Sequence, residues 1–378
     1  MSASTSESNA PHAAALASLG GSPATLRRLL DGYAPRAAWQ AIAAGRHPAD
    51  PDGRYRAKAA APALEAARAA LAKVGASVCV LGADNYPPAL ASDPEAPAVL
   101  FCLGDPTVLE GRARVCVVGT RAASHYGLRV ATDIGRDLAA AGVVVVTGAA
   151  RGIDAAALSG ALAVSTGAPP VGVVGAPLDT PTCAAQRELW ANTAASGALL
   201  SELPPGARGA RWRFAVRNRV MAALAHIVLV VESHAHGGSL YTVAAARRRG
   251  TAVLAVPGSV HSPASAGSNQ LLVEGARAVR NAEDVLHALA HAARERGYVE
   301  VPGSGSTAKA CTGRGPALKA LAPWVRQVRM ALCHDPATLD DIVRRSGHNV
   351  TDVATALEHL ADAGLAVERG GWWWLPPG

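Results

Sequence analysis

The stretch Arg114-Val115-Cys116-Val117-Val118-Gly119-Thr120-Arg121 decides the fold. An unbroken apolar run without polar alternation is the mark of a strand buried on both faces, as in a parallel sheet covered by helices. The strand ends on a glycine, and Ser124-His125-Tyr126-Gly127 then opens a helical pattern. The same sequence of events recurs. Runs at Val143–Thr147, Val171–Gly175, Ala198–Glu202, Ile227–Glu232 and Thr251–Val256 read as further buried strands. Helical patterns at Tyr126–Ala141, Asp154–Val164, Gln186–Ser196, Arg213–Leu224 and Ser239–Arg249 separate most of them. Six such strands imply an α/β fold with a doubly wound parallel sheet, whose ligand crevice lies beyond the strands' carboxyl ends. Cys79–Leu81 and Val99–Leu103 are expected to add edge strands.

Around this core, residues 1–11 are rich in Ser, Ala and Asn and read as a disordered tail. Residues 12–76 read as a small all-helical domain. Its turn Leu19-Gly20-Gly21-Ser22-Pro23 resembles a helix-hairpin-helix or sterile-alpha-motif hairpin, or else a plain helical cap. The core spans 77–291, and residues 292–316, with Pro302-Gly303-Ser304-Gly305-Ser306, read as a linker. Residues 317–378 carry three helix patterns, Trp324–Cys333, Leu339–Ser346 and Thr351–Ala363, then strands Leu365–Arg369 and Trp372–Leu375. That order reads as a winged helix. Its third helix bears Asp352, Glu358 and Asp362 and no Lys or Arg, which suits a protein partner better than a DNA groove. Trp372-Trp373-Trp374 alternates along a strand, so at least one indole is expected to face solvent or a partner.

Composition narrows the class. Half of the 378 residues are hydrophobic, which excludes wholesale disorder, and a formal net charge of +7 suits a polyanionic partner. Between Ala113 and Ala290 stand 16 Arg against 10 Asp and Glu, so the excess lies on the core. Six cysteines without a CxxC pair read as buried inert thiols in a reducing compartment. The first Arg is Arg27, so no signal peptide is expected, and no run is long enough to span a membrane. The expected location is cytoplasmic.

The chemistry sits where strands end and helices begin. Gly119, Thr120, Arg121 and Ser124 combine a tight turn, hydroxyls, a guanidinium and a helix start, which together suit a phosphate. Thr147-Gly148-Ala149-Ala150-Arg151-Gly152-Ile153-Asp154 repeats the theme, with Asp154 most cheaply the helix N-cap. Glu232 is followed by His234, His236, Gly238, Ser239 and Thr242, a third glycine-rich start. His234 and His236 lack a visible third metal ligand, so no metal or other cofactor is expected. Arg217-Asn218-Arg219 adds two cations, with Trp212 and Phe214 beside them either to stack on a base or to pack on the sheet. There is no nucleophile elbow, Walker lysine or HExxH, which favours a binder over a catalyst.

At these residues the chain resembles the bacterial DNA-processing protein A family (DprA, or Smf), most strongly from about Asn85 to Leu289. The markers are Tyr86-Pro87, Val118-Gly119-Thr120-Arg121, Thr147–Asp154, Leu200-Ser201-Glu202-Leu203-Pro204, Arg217-Asn218-Arg219, Gly238-Ser239-Leu240, Pro257-Gly258-Ser259 and Gly267-Ser268-Asn269. The resemblance implies an extended Rossmann core that binds single-stranded DNA without catalysis, protects incoming strands in natural transformation, loads RecA and forms a homodimer. By position it assigns the DNA site to Gly119, Thr120, Arg121, Ser124, Gly148, Arg151, Gly152, Arg217, Asn218, Arg219, Gly238, Ser239, Thr242 and Asn269. Thr182, Cys183, Gln186, Ala215, Ala244 and Arg248 depart from the family's pattern and put the far wall of the crevice in question.

Two other readings compete. A phosphoribohydrolase-like enzyme resembles a pattern with a glutamate three residues past Thr242, where Ala245 stands, and Glu202 and Glu232 remain as conceivable acids. A scaffold would use the Trp-rich C-terminus to recruit a partner.

Overall fold

In the computed structural model, which describes residues 3–208, 210–296, 323–332, 337–363, 365–369 and 372–375, the apolar runs form one large sheet. Its strands are β1 (Ser77–Val80), β2 (Val99–Gly104), β3 (Arg114–Val118), β4 (Val144–Thr147), β5 (Val171–Val174), β6 (Ala198–Ser201), β7 (Ile227–Val230), β8 (Ala252–Ala255) and β9 (Arg277–Ala278). They lie in the order β1-β2-β6-β5-β4-β3-β7-β8-β9. Neighbours from β6 to β9 are parallel, while β1 and β2 close the β6 edge antiparallel. The chain builds from β3 outward to β6, crosses back, and builds from β7 to β9 on the other side. The winding therefore switches between β3 and β7, and the loops leaving their carboxyl ends open a crevice there.

Alternation along each strand feeds two cores. Val115 and Val117 of β3 pack with α6 (His125–Ala140), α7 (Ile153–Leu162) and α12 (Ala282–Arg296). Cys116 and Val118 pack on the other face with α9 (Arg211–Leu224), α10 (Leu240–Arg248) and α11 (Ala266–Val273), while α5 (Pro88–Ala91) lies against α9 and α8 (Ala184–Ser196) against β2 and β6. Helices α6 and α7 touch backbone to backbone: a Cβ on Gly160 would stand 2.0 Å from the Thr132 carbonyl oxygen. That contact fixes where both helix starts fall at the crevice. Free thiols at Cys79 and Cys102 lie buried in the sheet, where burial pushes them up to about 11 and about 12.

The helical N-terminal segment is less separate than its composition suggests. It holds α1 (Ala3–Ser18), α2 (Pro23–Leu30), α3 (Pro35–Ala43) and α4 (Ala61–Val74), and α1 packs on α3, α4, β1 and β2. Its buried residues, Leu16, Leu29 and Ile42 among them, share one core with Val99, Phe101 and Leu199 of the sheet. Helix α1 starts at Ala3, inside the stretch read as a tail. Ala13–Leu16 anchor its last turns, and extending an anchored helix through Ala, Ser and Glu costs little. Helix α12 likewise runs through Arg296, into the start of the expected linker, because Ala, Arg and Glu sustain a helix. The rest of that linker lies outside the described residues.

The chain falls into two units that divide at Ser304 and Gly305. The second contains α13 (Pro323–Ala331), β10 (Ala337–Thr338), α14 (Leu339–Ser346), α15 (Val350–Asp362), β11 (Val367–Arg369) and β12 (Trp372–Trp374). Its three-stranded antiparallel sheet has the order β10-β12-β11. Asn349 caps α15, which buries Val353, Ala356, Leu357 and Leu360 on a single helical stripe. Trp373 packs against this core. Among the described residues no helix is long and apolar enough to cross a membrane.

Candidate functional site

Two adjoining clefts open at the carboxyl edge of the sheet, the first at the switch between β3 and β7 and the second beyond β4 and β5. The first, about 530 Å³, is lined by Gly119, Thr120, Asn218, Gly238, Ser239 and Thr242, with Arg217 in its wall. The second, about 470 Å³, is lined by Gly148, Ala149, Arg151, Gln186 and Trp190. Arg121 and Phe214 belong to both. The Arg121 guanidinium lies 5.0 Å from the centre of the Phe214 ring, so the dividing ridge is a cation set against an aromatic ring. Phe214 and Arg217 share a face of α9 because they are three residues apart. The ring is half-buried, packing on the core beside Gly175 while its open side borders both clefts.

The two cations that reach solvent are Arg121 and Arg151. Both are exposed, and neither pairs with a carboxylate among the described residues. Arg217 plays a different part. It is only 6% exposed, and its guanidinium donates to the carbonyls of Gly148 (2.8 Å) and Val173 and to Asn218 Oδ1 (3.2 Å). It thus binds the ends of β4 and β5 together beneath the clefts. Asn218 then donates to the Gly238 carbonyl (3.1 Å), fixing the loop after β7.

Asp154 lies beside Arg217, and its carboxylate takes N–H bonds from Gly148 and Ala150. It is not the N-cap of α7. Gly152 holds that place at φ 90°, where a Cβ would meet the Thr120 carbonyl oxygen at 2.3 Å. Burial pushes the Asp154 carboxyl up to about 6, against the pull of Arg217. Its unfolded value lies near 4. The folded state therefore binds this proton first, so the stabilisation is full below about pH 4 and is lost as pH rises through about 6. Relative to Asp154→Asn, the native protein is expected to gain about 2–3 kcal/mol on going from pH 7 to pH 4. Urea midpoints at several pH values measure this, and a difference that stays constant over pH would refute it.

Three expected site residues are directed elsewhere. Arg219 bonds Glu202 and the Glu95 carbonyl, because two residues along a helix turn a side chain through about 200° from Arg217. Asn269 forms a two-way clamp on Gly258 (3.0 and 3.1 Å) and so shapes a neighbouring loop. Ser124 caps α6 through Gly127 N–H (3.1 Å) and donates its hydroxyl to Glu232 (2.5 Å). Glu232 also accepts the Ser124 N–H (2.9 Å), so an internal carboxylate occupies the α6 N-terminus where a phosphate was expected.

The remaining features finish the walls. Thr120 Oγ1 meets His234 Nδ1 at 3.1 Å, tying the loop after β3 to the loop after β7. The fully buried Thr242 lines the first cleft, and its hydroxyl has no hydrogen-bond partner among the described residues. Gln186 settles the far wall despite its departure from the family pattern. It accepts the N–H and hydroxyl of Thr182 (2.8 and 2.7 Å) and donates to the Ala149 carbonyl (3.2 Å), which Trp190 Nε1 also reaches at 3.2 Å. Among the described residues no group of His, Cys, Asp and Glu side chains is placed to hold a metal ion.

A family model described as DNA recombination-mediator protein A matches residues 68–290. A putative DNA processing protein DprA of Mycobacterium tuberculosis is 40% identical over 279 residues, which is 73% of this chain and 68% of that protein. The DNA processing protein DprA of Bacillus subtilis is 33% identical over 228 residues, covering 60% and 76%. Among solved structures, DprA of Streptococcus pneumoniae superposes with a TM-score of 0.61 at 29% identity, covering 72% of this chain and 95% of that one. DNA processing protein A of Helicobacter pylori, described for its single-stranded DNA binding mode, gives 0.51 at 25% identity over 57% and 96%.

Proposed function

The chain belongs to the DNA recombination-mediator protein A family, and from that membership we propose that its paired clefts grip single-stranded DNA for delivery to RecA, with no covalent step. The observation that carries this reading is the ridge of Arg121 and Phe214 with Arg151 close by: unpaired cations for phosphates and a ring for a base, on one edge of the sheet. Gly238, where a Cβ would meet nothing within 4 Å, leaves the backbone open to that strand, whereas Gly119 and Gly148 make room for Ile153, Asp154 and Arg217 of the fold itself. The titrated form of the protein is taken to be a cytoplasmic homodimer formed through the core, with residues 317–378 as a winged helix for a protein partner. The enzyme reading has less support. Glu232 is tied to Ser124 and Glu202 to Arg219, so neither carboxylate is placed to move a proton on a substrate.

Fluorescence anisotropy with labelled single- and double-stranded oligonucleotides tests the proposal. Binding should favour the single strand and weaken roughly tenfold or more between about 50 and about 200 mM salt. Arg121→Ala should cost about 1–3 kcal/mol of affinity. RecA assembly on the strand should quicken when the protein is added. A flat salt response together with unchanged Arg121→Ala affinity would reject the site.

A further inference from the structure

Trp212 stands at the start of α9 with 51% of its surface exposed, in a chain with only 15 aromatic residues. Burying such a ring in the core is the ordinary outcome, and this one stays at the rim. It borders a third hollow of only about 50 Å³, too small to admit a nucleotide, so that a strand would cross over it. The hollow meets the first cleft at Arg217 and the second at Val174 and Gly175. The far bank of that hollow is Gly21-Ser22-Pro23, the glycine turn of the N-terminal segment. The three hollows thus adjoin around the first turns of α9.

The indole is held in a way that suits a stacking surface. The Arg213 guanidinium lies over it, 4.7 Å from the ring centre. A cation over a ring limits its rotation and covers one of its faces, so the open surface is a preset platform. Arg213 also lies near the buried Glu202, which Arg219 holds, so the covering cation is itself anchored. Every base has a π-face, so such a platform accepts any sequence.

We propose that Trp212 stacks a base of the single strand just outside the clefts and leads the strand toward the Gly20–Pro23 turn. This rests on the single-strand reading given above and adds the residue that extends the bound track beyond the Arg121 and Phe214 ridge.

The full-length protein is titrated with two oligothymidylates, one of about four and one of about twenty nucleotides, the short one filling the clefts alone. Trp212→Ala should weaken the long strand about 5- to 50-fold and leave the short one within about twofold. Trp212→Phe keeps a π-face and should restore the long strand to within about threefold of the native affinity. Tryptophan fluorescence should fall on adding the long strand to the native protein, and fall less in Trp212→Phe. Melting curves check that both variants fold, and Trp212→Phe carries the test if Trp212→Ala does not. Unchanged long-strand affinity in the folded alanine variant, or unchanged quenching in Trp212→Phe, would overturn the proposal. An equal loss for both lengths would also overturn it, since Trp212 would then act inside the clefts. If the native protein bound neither strand, the single-strand reading itself would fall, a result distinct from all of these.

Discussion

Arg217→Ala is expected to cost about 3–5 kcal/mol of folding stability, while Arg121→Ala stays within about 0.5 kcal/mol of the native protein. Both residues are arginines of the same crevice, and their surroundings separate them. Arg217 is sealed under the clefts, with its guanidinium on the Gly148 and Val173 carbonyls and on Asn218. Burial lowers it to about 10, so it remains charged at neutral pH and balances Asp154. Truncating it strands two carbonyls at the ends of β4 and β5 and leaves a buried carboxyl without its cation. Removing one member of such a pair costs more than the pair contributes, because the other member's desolvation is left uncompensated. Arg121 loses only an exposed contact with Phe214. Urea unfolding of the two variants decides the matter, and a loss below about 1 kcal/mol for Arg217→Ala would show that the crevice floor tolerates the gap. The contrast matters for reading DNA-binding assays. Weak binding by Arg217→Ala reports a collapsed floor, whereas weak binding by Arg121→Ala at unchanged stability reports a lost contact.

The strands were legible because burial on both faces leaves runs such as Val115–Val118 and Val144–Val146 with no polar residue to break them. The crevice was legible for a related reason: parallel strands put every following loop at the same edge, so three glycine-rich loops had to converge. Direction was not legible. Arg217 and Arg219 are neighbours in the sequence and point to opposite sides of α9. Asn269 and Ser124 carry the right groups, yet each turns to its own loop or helix end. The two-residue strand β9 lies too far below any pattern length to be seen. What sequence could not supply was the acceptor for the α6 start, since Glu232 reaches Ser124 from 108 residues away.

That acceptor makes a sharp prediction. Glu232→Ala is expected to cost about 2–4 kcal/mol, because it removes a buried charge from a helix N-terminus and orphans the Ser124 N–H and hydroxyl. Glu232 is 1% exposed, and its carboxylate lies so close to α6 that a Cβ on Gly127 would stand 2.2 Å from Oε2. The same residue's carbonyl accepts the Thr120 N–H at 2.8 Å, so the loop carrying Arg121 hangs from Glu232 at both ends. The truncation should therefore loosen that loop and weaken the single strand as well as the fold. Glu232→Gln keeps the shape and one acceptor oxygen and should fall between the two, at about 1–2 kcal/mol. Chemical denaturation together with a strand titration reads both effects. An alanine variant within about 0.5 kcal/mol of the native protein would mean that the helix start is satisfied by water. Tighter strand binding in that variant would mean something else again. The carboxylate would then be keeping a phosphate away from the α6 N-terminus, and the strand would take its place once it was gone.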